Sequence, residues 1–154
     1  MREGGAPAPA NGRARGVAVA ESFNTLVAQI AEVSMGADGE PRVHKVWCAV
    51  DLGVAVNPDI IKAQVEGGIG YALGHALYAE VPLEKGRPTV SNFNDYRSLR
   101  IMEMPEIEVV ILPSDAPPTG IGEPGVPPLA PAVANALAAL GHARPARLPM
   151  VRRV

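Results

Sequence analysis

Apolar and polar residues change their period several times along the chain. From residue 43 to 52, Val46, Cys48, Val50 and Leu52 alternate with Lys45, Trp47, Ala49 and Asp51, the two-residue period of a strand with one buried face. Thr25–Met35 is β-prone with a less regular alternation, and Asp38-Gly39 between the two runs reads as the turn of a long hairpin. Residues 16–20 begin the β-prone material, and residues 106–112 form a further strand with Ile107, Val109 and Ile111 on one side. Residues 81–90 suggest a short strand, a turn and a return.

Two stretches switch to helical spacing. Asn57-Pro58-Asp59 places an amide at the N-cap, proline at the first helical position and an acid near the positive end of the dipole. Ile61, Val65, Ile69, Ala72 and Ala76 continue one buried stripe, so a helix to about Ala79 is expected. Leu129, Val133, Leu137 and Leu140 mark the second helix, with Pro131 tolerated in its first turn and Gly141 at its C-terminal cap. The reading is an α+β fold of strand hairpins with one glycine-rich and one alanine-rich helix.

The glycine-rich helix carries Gly67, Gly68, Gly70 and Gly74. Each costs roughly 0.8–1 kcal/mol against alanine, so another backbone or a ligand is expected to approach that face. The glycines do not fit a dinucleotide-binding fingerprint, because they lie inside a capped helix and not in a strand-to-helix turn. His75 beside them reads as a core or interface histidine, with no second ligand at metal spacing.

Composition narrows the classes. The 154 residues are 47% hydrophobic but only 4% aromatic, so the core is built from aliphatic residues and alanine. Sixteen prolines and sixteen glycines imply long ordered loops. A net charge of −2 without a basic stripe gives no reason to expect a nucleic-acid partner, and no apolar run is long enough for a membrane span. The single Cys48 allows neither an internal disulfide nor an iron–sulfur cluster held by this chain. Residues 1–15 read as a linker or cut edge, residues 16–154 as one domain, residues 91–96 as an ordered loop or the wall of a substrate channel, and residues 144–154 as an extended surface segment.

The most distinctive stretch is Pro117-Pro118-Thr119-Gly120-Ile121-Gly122-Glu123-Pro124-Gly125-Val126-Pro127-Pro128. A single acid, Glu123, sits in a stiff proline- and glycine-rich loop just ahead of a helix. Spacing alone leaves two readings, a solvated loop carboxylate or a catalytic acid.

Four blocks carry a resemblance that sharpens this choice. They are Gly12-Arg-Ala-Arg-Gly16 through Glu21-Ser22-Phe23, Asp51 through Asn57-Pro58 and Gln64-Val-Glu-Gly67-Gly68, Asn92-Phe-Asn-Asp-Tyr96 through Pro105-Glu-Ile-Glu108, and Gly120-Ile-Gly122-Glu123. Together they resemble the C-terminal part of the molybdenum-binding subunit of the xanthine dehydrogenase and aldehyde oxidase family, most of all the isoquinoline 1-oxidoreductase β-subunit branch. The resemblance implies a molybdopterin-binding oxidoreductase domain that hydroxylates aldehydes or N-heterocycles with oxygen from water. It implies that Glu123 is the general base toward a molybdenum-bound hydroxide, in a loop shielded from water, and that backbone groups at Ile121 and Gly122 contact the cofactor. No side chain of this chain is expected to ligate the metal. Iron–sulfur clusters are expected only in a partner subunit.

Subunits of that family are several times longer. The chain is therefore expected to be a fragment, or the product of a split or truncated gene, that shares the cofactor with the missing remainder of its subunit and packs its glycine-rich helix against it. Its partners would be that remainder, an iron–sulfur subunit and a small-molecule substrate. As it stands the chain would be cytoplasmic, with a periplasmic location for the full complex as the alternative. The competing expectation is a non-catalytic remnant or partner-binding module.

Overall fold

A computed structural model describes residues 9–151. Strands β1 (Arg13–Ser22), β2 (Thr25–Met35) and β3 (Pro41–Asp51) pair antiparallel in succession. Helix α1 (Pro58–Leu77) follows, then a small ribbon of β4 (Leu83–Glu84) and β5 (Arg87–Pro88), a 3-10 turn at Ile101–Glu103, and β6 (Glu106–Ile111). Helix α2 (Leu129–Ala139) ends the regular structure. The sheet order is β1-β2-β3-β6, with β6 parallel to β3, so the chain between them makes the long crossover that a parallel pair requires.

The local signals act as their chemistry dictates. Asn57 caps α1 by accepting from the Ile60 amide at 3.2 Å, and Gly141 follows α2 with φ +92°. The expected hairpin turn forms around Gly39, whose φ is +77°. The second hairpin, between β1 and β2, turns through Phe23 and Asn24 at φ +53° and +60°, the left-handed conformation that a two-residue hairpin turn demands. The register shift between β2 and β3 beside Glu32/Val33 returns Val43 and Val46 to the same face, although they stand three positions apart.

One face of the sheet presents Val27, Ala31, Val33, Val46, Cys48 and Val50 to the helices, where they pack with Val65, Ile69 and Leu73 of α1 and Leu129 and Val133 of α2. Helix α2 lies across β1 and β2. It comes so close to β1 that a Cβ added at Gly16 would stand 2.1 Å from the Ala132 carbonyl oxygen and 2.2 Å from the Ala136 nitrogen. Asn135 of the same helix donates to the Val17 carbonyl at 2.9 Å.

The opposite face is polar around one buried acid. Glu32 receives Arg13 at 2.9 Å and Arg15 at 2.6 Å, and the Arg15 guanidinium stacks 4.4 Å from the centre of the Trp47 ring. Burial alone would raise the Glu32 carboxyl, but the two guanidiniums outweigh it and hold the group below its ordinary range.

Three expectations change. Residues 1–8 lie outside the described residues, and the last part of the segment read as a linker is strand: β1 starts at Arg13, because Arg13 and Arg15 are tied to Glu32. The tail does not simply run over the surface, since Met150 and Val151 donate to the Ala76 and Leu77 carbonyls at the end of α1. The glycine face of α1 is approached by this chain itself. Added Cβ atoms would meet the Met104 side chain at Gly70 (3.0 Å), the Leu99 backbone at Gly74 (3.5 Å) and Val126 at Gly68 (3.6 Å). Among the described residues no helix is long and apolar enough to cross a membrane.

Two outcomes follow from this packing. Gly16→Ala forces a methyl group against backbone that only a shift of α2 can relieve, so it is expected to cost about 1–3 kcal/mol, read as a lower thermal midpoint. Because the folded-state pKa of Glu32 is depressed, its contribution is complete above the ordinary carboxylate range, about pH 4–5, and is lost as pH falls through the folded value. Glu103 is also held low: backbone and Arg97 contacts overcome its burial, and it feeds the same acid limb. Glu32→Gln should therefore flatten, without abolishing, the fall of midpoint with acid, at a cost near neutral pH of about 1–3 kcal/mol.

Candidate functional site

The loop leading into α2 is held at both shoulders by β2. On the first shoulder Thr25, fully buried, donates its hydroxyl proton to the Gly120 carbonyl at 2.5 Å. Its one proton being spent there, the 2.6 Å contact between Thr25 Oγ1 and Thr119 Oγ1 has Thr119 as donor. The Thr119 amide in turn donates to the Leu52 carbonyl at the end of β3, at 2.8 Å. On the second shoulder Gln29, also fully buried, donates from Nε2 to the Gly125 carbonyl at 2.8 Å.

Packing completes both attachments. A Cβ at Gly120 would lie 3.1 Å from that of Phe23 on the β1–β2 hairpin, and one at Gly125 would lie 3.3 Å from the Val65 carbonyl of α1. These close approaches are why glycine stands at both positions. Pro124 is fully buried between them and the helix.

Ile121, Gly122 and Glu123 form the arch between the shoulders. Ile121 packs partly on the core, while Gly122 and Glu123 are exposed, and a Cβ at Gly122 would meet nothing within 4 Å. The Glu123 carbonyl accepts from the Val126 amide at 2.8 Å, closing the turn that leads toward α2. The Glu123 carboxylate, by contrast, makes no hydrogen bond or ion pair among the described residues, and neither do the amides of Ile121, Gly122 and Glu123. The water-shielded setting expected for this acid is thus not supplied by this chain: its backbone is fixed and its side chain is open. Such an arch, with free amides, no side chain at Gly122 and a carboxylate beside it, suits a bulky polar group approaching from outside.

Among the described residues no cluster of three histidines, cysteines or acids could hold a metal ion. Burial pushes the Cys48 thiol up to about 11, so it is an inert core group. His75 lies about two turns along α1 from Gly68, which faces the arch loop. Its Nδ1 donates to the Tyr71 carbonyl at 2.9 Å, which leaves Nε2 as the acceptor 3.5 Å from the Tyr96 hydroxyl. Tyr96 and His75 line a groove of about 490 Å³ with Gly70, Gly74 and Met104. Gly70 is turned about 200° around the helix from Gly68, which faces Gly125, so the glycine floor of this groove points away from the arch.

Sequence reasoning singled out the arch but missed the residues that hold it. Thr25 and Gln29 carried a signal: both are polar at positions of β2 whose side chains share the core face with Val27, Ala31 and Val33. A polar side chain at such a position needs a buried partner.

The model of the molybdopterin cofactor-binding domain matches residues 9–105, a span that includes Thr25 and Gln29 and ends before Glu123. The chain is 39% identical over 140 residues to the β subunit of isoquinoline 1-oxidoreductase from Brevundimonas diminuta, covering 90% of this chain and 18% of that protein. It is 38% identical over 99 residues to a membrane-bound aldehyde dehydrogenase of Gluconacetobacter polyoxogenes whose name specifies pyrroloquinoline quinone, covering 64% of this chain and 13% of that one. The crystal structure of quinoline 2-oxidoreductase from Pseudomonas putida 86 superposes with a TM-score of 0.72 at 27% identity, covering 82% of this chain and 17% of that one. The chain thus spans less than a fifth of the length of these relatives.

The first shoulder can be tested alone. Thr25→Val keeps the shape but leaves the Gly120 carbonyl and the Thr119 hydroxyl without their buried partner, an expected loss of about 1–3 kcal/mol. Urea unfolding of the variant beside Thr25→Ser, which retains the hydroxyl and should recover most of the loss, measures it.

Proposed function

The chain belongs to the molybdopterin cofactor-binding domain family, and from that premise we propose that it supplies the proton-accepting acid, Glu123, to a molybdenum hydroxylase acting on aldehydes or N-heterocycles. The observation that carries this reading is the arch: an unpartnered carboxylate on backbone fixed at both ends, beside open space at Gly122. Isoquinoline and aldehyde are the substrates in the names of the two relatives, and the proposed substrate class follows them.

In this proposal the molybdopterin cofactor, when bound, supplies the two-electron redox step and the oxygen that enters the substrate. The amides of Ile121 and Gly122, without partners among the described residues, hold its polar rim. The Glu123 carboxylate accepts the proton that must leave as the new carbon–oxygen bond forms. A fixed backbone limits how far the Glu123 carboxylate can lie from its Cα, which brings it within reach of a docked group. Exposure in this chain means that water is excluded by what docks on the arch, which we assign to the rest of the molybdenum subunit. One relative is named a β subunit, which accords with an iron–sulfur subunit as the electron acceptor's route.

The second reading, a partner-binding module without catalysis, is favoured by one observation, the exposure of Glu123. Both readings meet one experiment on the complete complex. Glu123→Gln is expected to lower turnover by about 10²-fold or more while molybdenum content by mass spectrometry stays at the wild-type level. Unchanged turnover refutes the base, and a complex without molybdenum refutes the cofactor, including in favour of the quinone for which one relative is named.

A further inference from the structure

The second shoulder of the arch is held by a group that is costly to bury. Gln29 sits wholly inside the core on β2, among aliphatic neighbours such as Val27 and Ala31 and against Cys48, whose sulfur lies 3.7 Å from Nε2. Its Nε2 is used, donating to the Gly125 carbonyl at 2.8 Å. Its Oε1 is buried with no hydrogen-bond partner among the described residues. Reversing the amide would set Oε1 against a carbonyl oxygen, so the 2.8 Å contact fixes the orientation and leaves the orphan where it is.

For the stability of the domain this is close to a poor exchange. The bond to Gly125 and a weak one to the Cys48 sulfur are set against a stranded acceptor, and a methionine or leucine would fill the same volume without any of them. What the amide achieves is positional. It ties the carbonyl two residues after Glu123 to the central part of β2, while Thr25, four residues earlier on the same strand, ties the carbonyl three residues before Glu123. The two bonds span the arch from one rigid strand.

We propose that Gln29 is a positioning residue for Glu123, kept in the core to fix the arch at a cost to, or without gain in, overall stability. This rests on the reading of Glu123 as a base, but the clamp itself can be judged without it. The measurement is amide hydrogen exchange by NMR or mass spectrometry on the 154-residue chain, wild type against Gln29→Met, together with the thermal midpoint. The expected result is exchange about tenfold faster at the Val126 amide, whose bond to the Glu123 carbonyl closes the arch, with sheet amides of β2 and β3 unchanged and a midpoint within about 3 °C of wild type. Unchanged protection of the Val126 amide overturns the proposal. So does a Gln29→Met chain that fails to fold or exchanges faster throughout, because the amide would then be a stability element of the core. The complete complex separates the two ideas: if the arch loosens in Gln29→Met while turnover and its pH profile hold, the clamp stands and Glu123 is not the base.

Discussion

The structure turns on how closely α2 can approach β1. A helix can rest its backbone on a strand only if neither carries bulk at the crossing, and Gly16 on the strand meets Ala132 and Ala136 on the helix. With few aromatics, this chain cannot fill a wide gap between helix and sheet, so it closes the gap with small residues. Leu129 and Val133 then reach the core beside Val27 and Ala31. That seating fixes the start of α2, and the start of α2 fixes where the preceding loop leaves the sheet. Position at the arch is therefore inherited from a contact at the far side of the helix.

Apolar packing sets elements to within a side chain's tolerance, but it does not aim a three-residue arch. Directional bonds do that here, and they come from polar side chains on the core face of β2. The consequence is a core interrupted at Thr25 and Gln29, one interruption fully satisfied and the other not. Consistency between local chemistry and global fold is broken at the strand that faces the arch, which is where a functional demand would break it.

What could be read in the sequence was what is local. The Asn57-Pro58 start of α1, the glycine after α2 and the alternation of β3 each depend on neighbours a few residues away, and each forms as expected. Nonlocal features were not legible. The parallel pairing of β6 with β3 joins residues about sixty apart, and nothing in either strand's own pattern specifies its partner. The glycines of α1 announced a close approach without naming the approaching chain. At Gly70 and Gly74 it proved to be the segment from Leu99 to Met104, held against the helix where Arg97 stacks on Tyr78 and reaches Glu103, and at Gly68 it proved to be the arch loop at Gly125 and Val126. Glu123 was legible as an acid on a stiff loop, but its shielding was not, because burial is a property of everything packed around a residue.

That last difference separates two requirements on Glu123 in the base role proposed for it. Its direction depends on backbone held by β2 and β3, all within this chain. Its basicity depends on desolvation, which raises a carboxylate's affinity for a proton, and on nearby charge, and both are set by whatever covers the arch. A surface that fixes direction while leaving basicity to the covering partner has a physical advantage: before assembly the acid is hydrated and inert, and only docking removes the water that would otherwise compete for its proton. In the proposed complex the open carboxylate is one side of an interface, while the rigidity beneath it belongs to the fold alone.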